Sequence, residues 1–246
     1  MEGIKLIPKI IHYCWFGGGE KPSIIKKCIE TWKKHLPDYE IIEWNEENFN
    51  LNINNYVIEA YELKKFAFVS DFVRVYALYH YGGIYLDTDV EIYKNFDDLL
   101  HHDSFWGFEQ ENYIATSTIG SMKNNQLVGE FLNLYTNKSF VKANGNFDDL
   151  TNVALVTDLL EKKGVTRSGE YQEIEDIGVF YPQKFFSPFD YINCRNFAST
   201  ETYTMHHFYK SWLPKRIRLK GFLKNNIVKV IGGDNLARIR TKFIND

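Results

Sequence analysis

The chain has only three cysteines, Cys14, Cys28 and Cys194. Their spacing matches neither a metal-ligand pair nor an even disulfide framework, so reduced thiols of a cytosolic protein are expected. No apolar run approaches the roughly 18 residues that a membrane span requires. The opening MEGIKLIPK lacks the apolar stretch of a signal peptide, so none is expected. Internal repeats and low-complexity linkers are also missing; Asn144-Gly145-Asn146 reads as a loop.

What is present fits a folded enzyme-sized unit. The 246 residues, 44% hydrophobic and 25% charged, suit one α/β or α+β domain with a sizeable core. Aromatics make up 16% of the chain, with 19 Phe, 16 Tyr and 5 Trp. They serve a core equally well as a surface that stacks on a base or a sugar ring. The net charge of −3 is unevenly spread: Leu213 to Asp246 holds nine Lys or Arg against two Asp, a net of +7, which leaves −10 for the rest. Apolar residues are interleaved in that basic segment, which suits a solvated helical face, an anionic membrane surface or contact with nucleic acid.

Periodicity predicts a strand within Ile7–Phe16, a helix from Pro22-Ser23 to His35 and a strand over Tyr39–Trp44, the β-α-β start of a nucleotide-binding α/β half. Helices are predicted over 55–64 and 65–81, the second stopped by Gly82-Gly83. Strands at 84–87, 104–108 and 113–119, helices at 126–135 and 149–162, and strands near 177–181 and 202–207 complete the pattern.

The stretch HYGGIYLDTDVEIY, His80 to Tyr93, carries the first chemical signal. Asp87 and Asp89 sit at i and i+2 just past an apolar strand, so they share a face. Two adjacent carboxylates do not both ionise without a counter-charge. A turn with acids in solvent is one reading. A hard divalent cation, Mg²⁺ or Mn²⁺, bridging them to a diphosphate is the other. An EF-hand loop is excluded, because its sixth and twelfth positions would be Ile92 and Asp98. An aspartyl-phosphate phosphohydrolase using Asp87 as nucleophile and Asp89 as acid remains an alternative, but its downstream acid is lacking where Gly233-Asp234 is followed by Arg238.

The helix FAFVSDFVRVYALYHY is apolar almost all round and so is expected to be buried. Within it Asp71 and Arg74 stand at i and i+3. A buried pair needs further hydrogen bonds, which either the protein or a polar ligand can supply. Near the end, YTMHHFYKSWLP offers His206 and His207 on opposite faces of a strand. Ser211 and Trp212 follow, with a hydroxyl and an indole N–H that suit phosphate oxygens.

Together, FVSDFVRVYALYHYGGIYLDTDVEI, IPKIIHYCWFGG, GVFYPQKFFSP and HHFYKSW resemble the DXD sugar transferases of glycosyltransferase family 32. That family includes capsular and exopolysaccharide enzymes and Golgi mannosyltransferases, and the likeness extends more distantly to the catalytic domain of large glucosylating toxins. The resemblance implies an α/β GT-A fold with a Rossmann-like half and a mixed central sheet, covering residues 1–212 and followed by the basic segment 213–246. It implies a nucleotide-diphosphate-sugar donor, Mn²⁺ or Mg²⁺, and a glycan or lipid-linked acceptor in capsular or exopolysaccharide synthesis, with no nucleic-acid partner. Trp15 would stack on the base, favouring UDP, and Ser70 and Tyr85 would line the nucleotide pocket. Asp71 and Arg74 would bind the sugar and the departing diphosphate. Asp87 would face the sugar and ribose, and Asp87 and Asp89 would hold the metal. His206 or His207 would complete the metal site, with His207 favoured, and Ser211 and Trp212 would contact phosphate. Anomeric configuration is expected to be retained by same-face attack. A cytoplasmic protein peripheral on the inner membrane face is expected, and a non-catalytic sugar-nucleotide-binding module is the remaining alternative.

Overall fold

The structure, a computed structural model, describes residues 6–148 and 150–209. Its strands are β1 (Ile10–Cys14), β2 (Glu40–Trp44), β3 (Gly83–Leu86), β4 (Val90–Ile92), β5 (Ser104–Gly107), β6 (Thr118–Ser121), β7 (Gln172–Ile174), β8 (Gly178–Tyr181), β9 (Phe189–Asp190), β10 (Arg195–Asn196) and β11 (Thr204–His206). Its helices are α1 (Ser23–His35), α2 (Asn55–Glu62), α3 (Phe66–Tyr81), α4 (Gln126–Asn133), α5 (Asn152–Glu161) and the single turn α6 (Gln183–Phe186).

Seven strands form one mixed sheet in the order β2-β1-β3-β6-β5-β8-β7. β1 runs parallel to β2 and β3, β5 runs parallel to β8, and β6 opposes both β3 and β5. The carboxyl ends of β1, β2, β3, β5 and β8 therefore open onto one edge, where open α/β sheets place their ligands. The antiparallel pair β4–β11 lies beside that edge.

Alternation along the strands builds a core on each face. Tyr85, Trp106, Ile119 and Phe180 pack with Val73 of α3 and Phe131 of α4. Ile84, Leu86, Phe105 and Val179 pack with Trp32 of α1 and with Phe96. α1 buries Ile25, Cys28 and Trp32, a 3.6-residue stripe, and ends on Lys33, Lys34 and His35, which favour the negative end of the helix dipole. α2, α4 and α5 begin on the side chains of Asn54, Asn125 and Thr151, each accepting a backbone N–H.

The passage from α3 to β3 fixes the most important turn. Gly82 and Gly83 have φ of +69° and +103°, and a Cβ on Gly83 would lie 2.6 Å from the carbonyl oxygen of Ile10 on β1. Only glycine lets β3 approach β1 so closely in this conformation. Several short segments depart from the sequence expectation. β6 begins at Thr118 rather than near 113, because Tyr113–Ser117 is a loop tied to Gly107 and to Arg74. β4 and β7 were not foreseen, being three residues long with partners set by tertiary packing.

Candidate active site

At the carboxyl end of β3 the chain delivers Asp87 and Asp89, and α3 lays Arg74 against them. Arg74 is 5% exposed. Its Nη2 lies 2.9 Å from Asp71 Oδ1 and 3.2 Å from Asp87 Oδ1. Its Nη1 donates to the Thr116 carbonyl at 2.6 Å and to Thr116 Oγ1 at 3.0 Å. The guanidinium carbon stands 4.7 Å from the centre of the Tyr85 ring, and Tyr85 donates its hydroxyl to Asp87 Oδ1 at 3.1 Å. The i, i+3 pair of the sequence is thus one arm of a fork that also holds the β3 acid and the approach to β6.

Burial pushes the Asp71 carboxyl up to about 6, against the lowering pull of Arg74. Burial would also lower the Arg74 pKa, but Asp87, Tyr85 and Asp71 outweigh it and hold the guanidinium charged. Burial raises Asp89 too, yet His206 and the backbone N–H of Tyr209 bring it down to about 2. That N–H reaches Asp89 Oδ2 at 2.7 Å.

Asp87, Asp89 and His206 form a group whose ligand atoms all lie within 4.8 Å of one another. His206 Nε2 is 3.5 Å from Asp89 Oδ1, and His206 Nδ1 is buried with no hydrogen-bond partner. Two carboxylates and an imidazole suit a divalent cation, and the mixed oxygen and nitrogen donors favour Mn²⁺ over Mg²⁺. The residues present therefore fit the metal implied by the sequence. They correct the histidine: β11 pairs His206 with Val90, beside Asp89, while His207 turns to Glu91, with Nε2 2.9 Å from Oε2. Glu91, without a role in the sequence reading, is the partner of the histidine that does not join the acids.

Of the residues expected to meet a nucleotide, Trp15 stands along the same edge. Trp15, half-buried just after β1, donates its indole N–H to the Gly19 carbonyl at 2.7 Å. It lines a pocket of about 790 Å³ with Gly17, Lys21, Glu43, Asn45, Glu46 and Glu47 among its walls. Glu46 Oε1 accepts the Gly17 N–H at 2.6 Å and the Tyr61 hydroxyl at 3.1 Å. Lys21 ties Glu43 at 2.8 Å and stands 5.4 Å from the Trp15 ring. Ser70, expected to line the nucleotide pocket, spends its hydroxyl within α3 on the Phe66 carbonyl at 3.0 Å. Ser211 and Trp212 lie outside the described residues.

Sequence reasoning missed Thr116, Ser117 and the Tyr209 backbone. ATSTIG reads there as plain strand, and only the register of β6 against β3 shows that the Ser117 carbonyl accepts the Asp87 N–H while Thr116 holds Arg74.

The family described as a glycosyltransferase sugar-binding region containing a DXD motif matches residues 22–106. Over 233 residues, 89% of this chain and 89% of the relative, the sequence is 30% identical to an uncharacterized glycosyltransferase of Acanthamoeba polyphaga mimivirus. It is 31% identical over 128 residues to inositol phosphoceramide mannosyltransferase 3 of Schizosaccharomyces pombe, covering 48% of this chain and 34% of that protein. Against inositol phosphoceramide mannosyltransferase 2 of the same yeast it is 34% identical over 108 residues, 42% of this chain and 30% of the other. The chain spans about a third of the length of these two yeast relatives. The solved PaToxG glycosyltransferase superimposes with a TM-score of 0.50 at 20% identity, covering 65% of this chain and 70% of its own, a likeness of fold.

Proposed function

This chain belongs to the glycosyltransferases whose sugar-binding region contains a DXD motif, and from that premise we propose that it moves a hexosyl group from a nucleotide-diphosphate sugar to a glycan or lipid-linked acceptor. The observation that carries the proposal is the convergence of Asp87, Asp89 and His206 at the end of β3, with Arg74 beside them. Membership sets aside the phosphohydrolase and the non-catalytic module.

In this reading Asp87, Asp89 and His206 hold a divalent cation, whose chemistry is to neutralise charge on the leaving diphosphate. Arg74, kept charged and fixed by Thr116, supplies a preorganised donor toward the same oxygens. Asp71 holds Arg74 and faces the sugar hydroxyls. Its bond to Arg74 favours a binding role over attack on the sugar carbon, so same-face transfer with retention is the proposed course. Trp15 stacks on the base, which supports UDP. A second reading of the base is favoured by one feature: the pocket beside Trp15 is walled by Glu43, Glu46 and Glu47. A carboxylate accepts two adjacent N–H groups, which guanine offers and uracil does not.

Capsular or exopolysaccharide synthesis is the proposed setting. The named yeast relatives support a lipid acceptor with mannosyl transfer as the other candidate. Among the described residues no helix is long and apolar enough to cross a membrane. We place the protein in the cytoplasm, with segment 213–246, outside the described residues, as its contact with an anionic membrane surface. Replacing the nine Lys and Arg of that segment by Gln should remove binding to anionic liposomes, and unchanged binding would refute that contact.

Calorimetry with UDP and GDP, with and without Mn²⁺, tests the site directly. Binding should require Mn²⁺ in the wild type and be lost in Asp89→Asn. Equal binding without metal, or full binding by the variant, would overturn the assignment.

A further inference from the structure

His206 meets Asp89 with Nε2 at 3.5 Å, and its Nδ1 is buried with no hydrogen-bond partner. A histidine that holds a metal ordinarily donates its second ring N–H to a carboxylate, a carbonyl or water, and that bond sets the angle of the ring. Among the described residues no polar atom does this for His206. Glu91, two residues from Asp89, is taken by His207. Some other contact has to fix the imidazole.

That contact is Phe208. Its ring centre lies 3.9 Å from that of His206, with the two planes tilted by 33°. The ring of Tyr191, in the turn between β9 and β10, stands 4.6 Å from Phe208 in its turn. Phe208 thus joins the imidazole to a hairpin that is separate from the central sheet.

The backbone shows why a ring at this position calls for an explanation. Phe208 has a φ of +49°. A bulky side chain is strained in this left-handed conformation, which glycine and asparagine adopt more readily. The bend itself serves Asp89. On either side of Phe208, the His207 N–H donates to the Asp89 carbonyl at 3.1 Å and the Tyr209 N–H donates to Asp89 Oδ2 at 2.7 Å. Glycine would make the same bend with less strain, so the bend does not account for a phenylalanine. Its ring contacts do, and they are His206 and Tyr191.

We infer that Phe208 is a positioning residue of the cation site: its ring, backed by Tyr191, holds the His206 imidazole with Nε2 turned to the acids. Packing takes the place of the hydrogen bond that Nδ1 lacks. This rests on the reading of Asp87, Asp89 and His206 as a cation site, and adds to it the residue that aims its histidine.

Calorimetric titration of Mn²⁺ alone into the full chain tests the inference. Phe208→Gly removes the ring and suits the backbone, Phe208→Leu refills the space without a flat ring, and Phe208→Tyr keeps the ring. The dissociation constant for Mn²⁺ should rise about tenfold in Phe208→Gly. It should rise in Phe208→Leu as well, and stay at the wild-type value in Phe208→Tyr. In a His206→Ala background, Phe208→Gly should cost no further affinity, because the ring acts through that imidazole. Wild-type affinity in Phe208→Gly or Phe208→Leu would overturn the inference while leaving the cation site standing. A tenfold loss that persists in the His206→Ala background would place the effect on Asp89 or on the fold at large, and would overturn it too. A wild type that binds no Mn²⁺ would remove the cation site itself and the inference with it, a result distinct from either.

Discussion

Replacing Arg74 tests the physical core of the site. The guanidinium makes four polar contacts, to Asp71, Asp87 and twice to Thr116, from a side chain only 7% exposed. Arg74→Met leaves two carboxylates, 16% and 24% exposed, facing one another without a cation. Breaking a buried ion pair from one side costs about 3–5 kcal/mol, and the partial exposure of the acids points to the lower end, about 3. Arg74→Lys keeps the charge, but one ammonium cannot serve Thr116 and both acids, so about 1–2 kcal/mol should be lost. Asp71 sets the pH dependence. Its folded pKa, raised to about 6 by burial against the pull of Arg74, lies above its unfolded value. The folded state therefore binds the proton more tightly, and this group adds stability as pH falls through that window. Removing the guanidinium raises the Asp71 pKa further, so the Arg74→Met deficit should be largest near pH 7.5 and smaller at pH 5. Urea denaturation followed by tryptophan fluorescence reads both effects. A variant within about 1 kcal/mol of wild type at pH 7.5, or a deficit that does not shrink at pH 5, would refute the reasoning.

Three further outcomes are expected. His206→Ala should weaken Mn²⁺ stimulation of transfer by roughly tenfold or more, while His207→Ala, which loses only its bond to Glu91, should keep it; equal effects would undo the assignment of His206. His12 is buried between the Gly82 carbonyl and the Trp44 indole N–H, and burial lowers its pKa to about 4, against the raising effect of the Gly82 bond. Its unfolded form binds protons more readily, so relative to His12→Gln the wild type should lose about 3 kcal/mol of stability from pH 7 to pH 4; parallel pH profiles would contradict this. Gly83→Ala, with φ at +103° and its Cβ 2.6 Å from the Ile10 carbonyl, should cost more than about 2 kcal/mol in chemical denaturation, and a neutral result would mean that β3 can draw away from β1.

The legible part of this protein is its local part. α3 and β3 could be read because a buried apolar helix, a pair of glycines and an apolar strand follow one another in sequence. Asp71 and Arg74 could be paired because a helix fixes i and i+3. The illegible part is long-range register. β4 and β11 are three residues each and meet across more than a hundred residues, and that pairing decides that His206, not His207, stands by Asp89. The same holds for Ser117, whose place opposite Asp87 follows from the pairing of β3 with β6. Glu46 was invisible for a similar reason, since its fixing partners are Gly17, in the loop after β1, and Tyr61, near the end of α2.

The proposed work of Asp87, Asp89, His206 and Arg74 is to transfer the sugar of a nucleotide-diphosphate sugar. Release of nucleoside diphosphate, measured across the common UDP- and GDP-hexoses with and without Mn²⁺, tests it most directly. Release from at least one donor is expected, dependent on Mn²⁺ and abolished in Asp89→Asn. No release from any donor, or undiminished release in that variant, would contradict it.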